Sequence, residues 1–323
     1  MEWPSLAEME QAASLVYAHM QGSPQIEWPL LNARCDCRLF VKHENHNPTG
    51  AFKVRGGLVY LHRLAQGENR PAGLVAATRG NHGQSIALAA ASQGLPCTVV
   101  VPEGNNPDKN RAMAAFGARL EVYGADFNEA LDHARQLAAD EGWHLVPSFH
   151  RDLVLGVGSY GLELMRARPD LARIYVPIGL GSGLCGLLAA RKALGHPAQI
   201  IGVVSTQADC YAQSLAAGRC IATETADTLA DGMAVRVPNP DALAMMLGEV
   251  DRIAAVSDDE VLAAMAVLFS DTHNVVEGAG AAALAAALGE RELNRGEEVA
   301  VIASGGNVDA QLFARVLGQT QGF

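Results

Sequence analysis

Pro177-Ile178-Gly179-Leu180-Gly181-Ser182-Gly183-Leu184-Cys185-Gly186 reads as the end of a strand, a glycine loop and the first turns of a helix. The β-branched run 173–178 before it and the Leu- and Ala-rich run 184–194 after it complete one strand–loop–helix unit. Glycines at such a turn let backbone N–H groups approach an anion, with the helix dipole behind them. The unit recurs in both directions along the chain. Candidate strands lie at 38–42, 73–78, 97–102, 119–123, 173–178, 199–204 and 298–303, and periodic helical segments between them include 85–93, 127–141, 184–194, 258–269 and 280–288. Such alternation belongs to a parallel sheet covered by helices, so the fold class is α/β. The polar stretch Gln66-Gly67-Glu68-Asn69-Arg70-Pro71 and a turn near 143–148 bracket a compact block of strands and helices. This predicts a small domain, 68–146, inserted into a large one made of 1–67 and 147–323.

A chain of 323 residues exceeds the usual size of one hydrophobic core, and its 49% of apolar residues can fill two packed units. Lys plus Arg number 24 against 35 Asp plus Glu, a formal charge of -11. That balance repels phosphate backbones and anionic bilayers, so neither nucleic acid nor membrane is expected as a partner, and an anionic ligand needs a local site. Met1-Glu2-Trp3-Pro4 opens no basic segment followed by an apolar run, so no targeting peptide is read. The longest apolar stretches are interrupted before the ~18 clean positions a membrane span needs. A cytoplasmic protein is the expectation. The six cysteines, at 35, 37, 97, 185, 210 and 220, lack C-x-x-C spacing and read as reduced, buried small hydrophobes.

Three further stretches carry chemistry. Asn47-Pro48-Thr49-Gly50-Ala51-Phe52-Lys53-Val54-Arg55-Gly56-Gly57 is a turn and a helix start with a lysine in its first turns. Cations are unfavourable there, and an amine held at that end and partly desolvated has a lowered pKa, as a Schiff-base lysine needs. Taken alone, a solvated helix lysine is the ordinary reading. Thr78-Arg79-Gly80-Asn81-His82-Gly83-Gln84 follows a strand and opens a helix, so its N–H groups can hold a carboxylate and Asn81 can offer an amide, although an ordinary capped turn fits equally well. Ala303-Ser304-Gly305-Gly306-Asn307-Val308-Asp309 ends the last strand, at the edge where open α/β sheets bind ligands. There too a plain turn is possible.

In this order the four stretches resemble the fold-type II pyridoxal-phosphate (PLP) enzymes, and within them the threonine and serine dehydratases with their relative serine racemase. The likeness runs from about Leu30 to Val316 and includes Pro102-Glu103, Ala230-Asp231-Gly232 and Val276-Glu277-Gly278-Ala279. It implies a tryptophan-synthase-β-like fold of two open, twisted, mostly parallel sheets flanked by helices. It also implies that Lys53 is the catalytic residue and forms the Schiff base with PLP, with Phe52 packed beside the cofactor. Asn81 then meets the ring hydroxyl, Gly179, Leu180, Gly181, Ser182 and Gly183 cradle the phosphate, and Ser304 meets the pyridine nitrogen. Thr78, Arg79, Gly80 and His82 line the substrate pocket.

The activity so implied is that of an ammonia-lyase. Water and ammonia leave a β-hydroxy amino acid of the threonine and serine class, and a 2-oxo acid results. Enzymes acting on 3-hydroxyaspartate and phenylserine share these motifs. β-Replacement, as in cysteine synthase, is the nearest enzymatic alternative, and Gly-Asn-His-Gly-Gln with Ser-Gly-Gly-Asn leans away from it. Arg79 stands where the racemase relative has a proton-donating serine, so weak racemisation is expected. Its fixed charged fork could also bind a second carboxylate. A rival from another class is an NAD-dependent oxidoreductase, because Gly181 to Gly186 matches G-x-G-x-x-G, but Ile201-Gly202-Val203-Val204-Ser205-Thr206 lacks the acidic residue that a ribose needs. The metal-binding acids of many relatives are replaced in Gly202-Val203-Val204-Ser205 and at Cys210, so no metal is expected. Nor is a C-terminal regulatory domain, with Phe323 so near the last motif. A homodimer acting on a small amino acid completes the expectation.

Overall fold

The computed structural model describes residues 2–318. Its strands are β1 Gln25–Glu27, β2 Arg38–His43, β3 Leu74–Ala77, β4 Cys97–Val101, β5 Arg119–Val122, β6 His144–Leu145, β7 Arg173–Pro177, β8 Gln199–Ser205, β9 Arg252–Val256 and β10 Glu298–Ala303. They form a six-stranded sheet in the order β1-β2-β10-β7-β8-β9 and a four-stranded sheet in the order β5-β4-β3-β6. Only β1 runs antiparallel to its neighbour. All seven strands read from the sequence are present, with ends shifted by a residue. β1, β6 and β9 are additional.

Strands buried on both faces read as continuous apolar runs, and their alternation divides two cores. In the larger sheet Phe40, Ile174, Val176, Ile200, Ala300 and Ile302 face helices Leu6–Tyr17, Arg151–Ala167 and Ser182–Leu194. Their sequence neighbours Leu39, Val41, Tyr175, Ile201, Val299 and Val301 face helices Pro29–Cys35, Asp258–Thr272 and Gly278–Gly289. Each fully buried side chain of this size contributes about 1.5–3 kcal/mol. The smaller sheet divides likewise. Leu74, Ala76, Val99 and Val101 pack with helices Lys53–Gln66 and Asn81–Ser92, whereas Val75, Ala77 and Val100 meet Ala130, Ala134 and Ala138 of helix Phe127–Glu141. The strands of this sheet all lie within 68–146, while helix Lys53–Gln66, outside that range, packs on it.

Strand order decides where a ligand can go. In the larger sheet β7, β8 and β9 step away in one direction and β10 returns on the other side of β7, so the loops after β7 and β10 diverge at the carboxyl edge. In the smaller sheet the same reversal occurs at β3, between β4 and β6. The loops after β3, β7 and β10 are the three glycine-containing stretches picked out above. Five cysteines are buried and all six are free, but Cys220 is exposed, which corrects the expectation that every cysteine is buried. It follows the end of helix Cys210–Ala217, where the chain has left the core. No described helix is long and apolar enough to cross a membrane.

Candidate active site

The lysine helix and the last glycine loop are joined by backbone. Ala51 forms an isolated bridge with Gly305, Phe52 N–H donates to Ser304 O at 3.0 Å, and Gly306 N–H donates to Gly50 O at 2.8 Å. Ser304, itself buried, is thereby held against the residue preceding Lys53. The chain has four lysines. Lys42 pairs with Glu163, Lys109 with Asp231 and Lys192 with Glu249. The Lys53 side chain alone makes no hydrogen bond or salt bridge among the described residues, and its Nζ lies 5.4 Å from the centroid of the Phe52 ring. Burial pushes its pKa below the ordinary lysine value, with the Glu277 carboxylate opposing part of the shift.

That shift has a testable sign. Only the neutral amine attacks a carbonyl, and a lowered pKa makes it neutral at lower pH. Uptake of PLP by the cofactor-free protein should accelerate as pH rises and level off below about 10.4, where an ordinary lysine would lose its proton. Stopped-flow absorbance across the pH range measures this, and a plateau reached only above that value would contradict a desolvated Lys53.

The loop after β3 faces the same cleft. Thr78 and Gly80 are buried, and Gly80 N–H donates to Thr78 Oγ1 at 3.0 Å. A Cβ on Gly80 would lie 2.8 Å from Lys109 Cδ, so the backbone passes close under that side chain. His82 Nε2 is buried without a partner, and burial together with the Lys53 charge pushes its pKa down to about 3. It is a neutral imidazole whose ring makes no hydrogen bond among the described residues. Asn81, the first helical residue, donates from Nδ2 to Glu277 Oε1 at 2.6 Å. Arg79 is exposed and makes no hydrogen bond or salt bridge among the described residues. The structure thus buries Thr78 and Gly80, sets Asn81 against Glu277 and His82 beside Lys53, and leaves Arg79 exposed.

The loop after β7 is braced from behind. Tyr160 Oη donates to Gly183 O at 2.7 Å and Tyr211 Oη donates to Leu180 O at 2.8 Å. None of the backbone amides of Gly179, Leu180, Gly181, Ser182 and Gly183 donates a hydrogen bond to another described residue, and helix Ser182–Leu194 starts there. Gly181 has φ +108°, and a Cβ on it would lie 2.7 Å from Met246 Cε and 2.8 Å from Ala242 Cβ. A Cβ on Gly179 would overlap the carbonyl oxygen of Gly232. Free amides at a helix start, on glycines packed too closely behind to carry side chains, fit a phosphate group, and the unpaired Lys53 fits its aldehyde. A Gly179→Ala protein should bind PLP roughly five- to hundred-fold more weakly, since relieving such an overlap costs about 1–3 kcal/mol. Unchanged affinity in a cofactor titration would remove this loop from the phosphate site.

Residues outside the predicted set adjoin these loops. A cavity of about 240 Å³ is lined by Lys109, Asp231, Glu277, Asn307 and Asp309 among others, but by neither Lys53 nor the loop 179–183. Lys109 Nζ donates to Asp231 Oδ2 at 3.1 Å, joining helix Pro107–Ala115 to the turn Asp231–Met233 across the cleft. Glu277 is buried, and burial pushes its pKa up while Lys109 and Asn81 oppose the shift. Asp231, Glu277 and Asn307 stand inside motifs quoted above, but no local pattern assigned them a role. Lys109 carried no sequence signal.

The family model for pyridoxal-phosphate dependent enzymes matches residues 16–305. The chain is 35% identical over 280 residues to an L-threonine ammonia-lyase of Thermotoga maritima, covering 86% of this chain and 69% of that protein. It is 32% identical to an L-threo-3-hydroxyaspartate ammonia-lyase of Saccharomyces cerevisiae, covering 97% and 96% of the two chains. A maize serine racemase structure superposes with a TM-score of 0.91 at 26% identity, covering 98% of each chain.

Proposed function

Because the chain belongs to the pyridoxal-phosphate dependent enzymes, we propose that it is an ammonia-lyase acting on a β-hydroxy amino acid of the threonine and serine class. The observation that carries this reading is the single unpaired, desolvated lysine, Lys53, placed among the switch-point loops of both sheets. PLP, when bound, supplies the conjugated ring that takes up electrons from the substrate's Cα. The free amine of Lys53 then removes the Cα proton. Thr78, Gly80 and His82 receive the substrate carboxylate, with His82 kept neutral so that it does not compete for a proton. Phe52 would pack against the cofactor, Asn81 would meet its ring hydroxyl, and Gly179 to Gly183 would hold its phosphate. Ser304 would offer the ring nitrogen a neutral hydroxyl rather than a carboxylate. The β-hydroxyl departs as water, the proton it gains balancing the one that Lys53 takes from Cα, and the released enamine takes up water and gives a 2-oxo acid and ammonia. A homodimer in the cytoplasm, with 68–146 as a small domain inserted into 1–67 and 147–323, belongs to the same proposal.

The names of the relatives favour elimination, and two of them divide between threonine and 3-hydroxyaspartate. A panel of threonine, serine, 3-hydroxyaspartate and phenylserine should release 2-oxo acid from at least one of them, far faster than O-acetylserine and sulfide give cysteine. Efficient cysteine formation would overturn the elimination reading. Arg79 stays charged and cannot donate a proton, so racemisation of the same substrates should be slow. Its exposure also reduces the selectivity that a buried charge contact would give. An exposed pair contributes about 1 kcal/mol or less, so Arg79→Ala should lower kcat/KM for 3-hydroxyaspartate by no more than about five-fold and leave threonine unchanged.

A further inference from the structure

A hydrogen-bond chain crosses the cleft from a fixed end. The carbonyl of Thr49 can only accept, so the atom facing it at 2.8 Å is Asn307 Nδ2. The second hydrogen of that nitrogen goes to Asn81 at 2.8 Å, so the atom received there is Asn81 Oδ1. Asn81 Nδ2 therefore lies on the opposite side, where it donates to the buried Glu277 Oε1 at 2.6 Å. An amide nitrogen has two hydrogens, and Glu277 takes one. Asn307 is confined as well. A Cβ on Gly50, which has φ +66°, would lie 2.7 Å from Asn307 Oδ1, and Gly305 leaves similar room for Glu277.

We propose that Asn307 and Glu277 are positioning residues that lock the Asn81 amide with its nitrogen toward the cofactor, so that its one remaining N–H is committed to the ring oxygen of PLP. This rests on the reading of Lys53 and Asn81 given above. Turned over, the amide would set Oδ1 against both the Glu277 carboxylate and the ring oxygen. Neither Asn307 nor Glu277 need touch the substrate.

The readout is the absorbance of the lysine-bound cofactor, titrated with pH at saturating PLP. A donor to the ring oxygen stabilises its deprotonated form, and losing it should raise the titration midpoint by roughly half to one pH unit and weaken PLP roughly three- to ten-fold. Asn307→Asp, which puts an acceptor against Thr49 O and Asn81 Oδ1, should produce that shift, and Glu277→Leu should produce it relative to Glu277→Gln. Glu277→Gln removes the same charge as Glu277→Leu but keeps an acceptor for Asn81, so its midpoint should lie below that of Glu277→Leu by that half to one unit. Asn307→Ala added to Asn81→Ala should change nothing further, because the locked group is already gone. A wild-type midpoint in Asn307→Asp together with equal midpoints in Glu277→Leu and Glu277→Gln, or additive shifts in the double variant, would overturn the proposal while leaving the enzyme assignment intact. A wild-type protein with no lysine-bound cofactor would overturn the assignment, and the proposal with it. If Asn307 variants do not fold, the two Glu277 variants decide between the outcomes.

Discussion

Replacing Lys53 with alanine should abolish 2-oxo-acid release, with kcat falling by at least about three powers of ten, while the fold is kept. General-base transfer alone contributes about 10²–10⁴-fold, and covalent attachment of the cofactor is lost in addition. No other lysine can stand in, since Lys42, Lys109 and Lys192 are each held in an ion pair. Stability should move the other way. Burial works against the charged amine of Lys53, so its removal should leave the melting temperature equal or higher. Added small amines should restore part of the activity at high pH, where they are neutral. Turnover within ten-fold of wild type, or a protein that no longer folds, would contradict the role given to Lys53.

The largest effect on stability is expected two residues further on. Arg55 is fully buried, and each of its five N–H groups has a partner. Its Nε and Nη2 donate to Glu44 at 2.7 and 3.0 Å, Nη1 and Nη2 donate to Glu163 at 2.7 and 3.1 Å, and Nη1 donates to Ser159 Oγ at 2.9 Å. Lys42 also pairs with Glu163, so two cations balance two carboxylates. The network ties the start of the lysine helix to the turn Glu44–His46 and to helix Arg151–Ala167. Arg55→Leu would leave the buried Glu44 and the partly buried Glu163 carboxylates facing one ammonium, and removing one partner from a buried pair costs about 3–5 kcal/mol. Arg55→Lys should recover little, because three hydrogens cannot replace a five-donor fork. Denaturant titration measures both, and a loss below 1 kcal/mol in Arg55→Leu would show the network to be dispensable. The network also gives acid sensitivity its sign. Burial disfavours ionised Glu163, yet Arg55 and Lys42 hold its pKa below the ordinary value. Its contribution to stability is therefore present above the unfolded pKa and lost as pH falls through the folded one.

The fold was legible where a strand is buried on both faces, because β2, β3, β4, β7, β8 and β10 read as apolar runs. It was not legible at β1 and β6, whose three and two residues are too short to show a period, or at β9, where Arg252-Ile253-Ala254-Ala255-Val256 is only partly buried. The glycine loops, Lys53 and Ser304 were picked out only as a set, because each stretch taken alone fits an ordinary turn or a solvated lysine. Their partners were not. Asn81 meets Glu277 across 196 positions and Asn307 across 226, pairings that only strand order creates. Lys109 sits in an ordinary capped helix, and nothing nearby in sequence announces that it crosses to Asp231. Arg79 marks the opposite limit, since its neighbours Thr78 and Gly80 are buried while its own side chain is exposed.

The most direct measurement is borohydride reduction of the PLP-loaded protein followed by peptide mass mapping. With only four lysines in the chain, the map is unambiguous. One phosphopyridoxyl group should appear on the peptide containing Lys53, in stoichiometric yield. A label on Lys42, Lys109 or Lys192, or no label while 2-oxo acid is still released, would contradict the assignment of Lys53 as the covalent anchor.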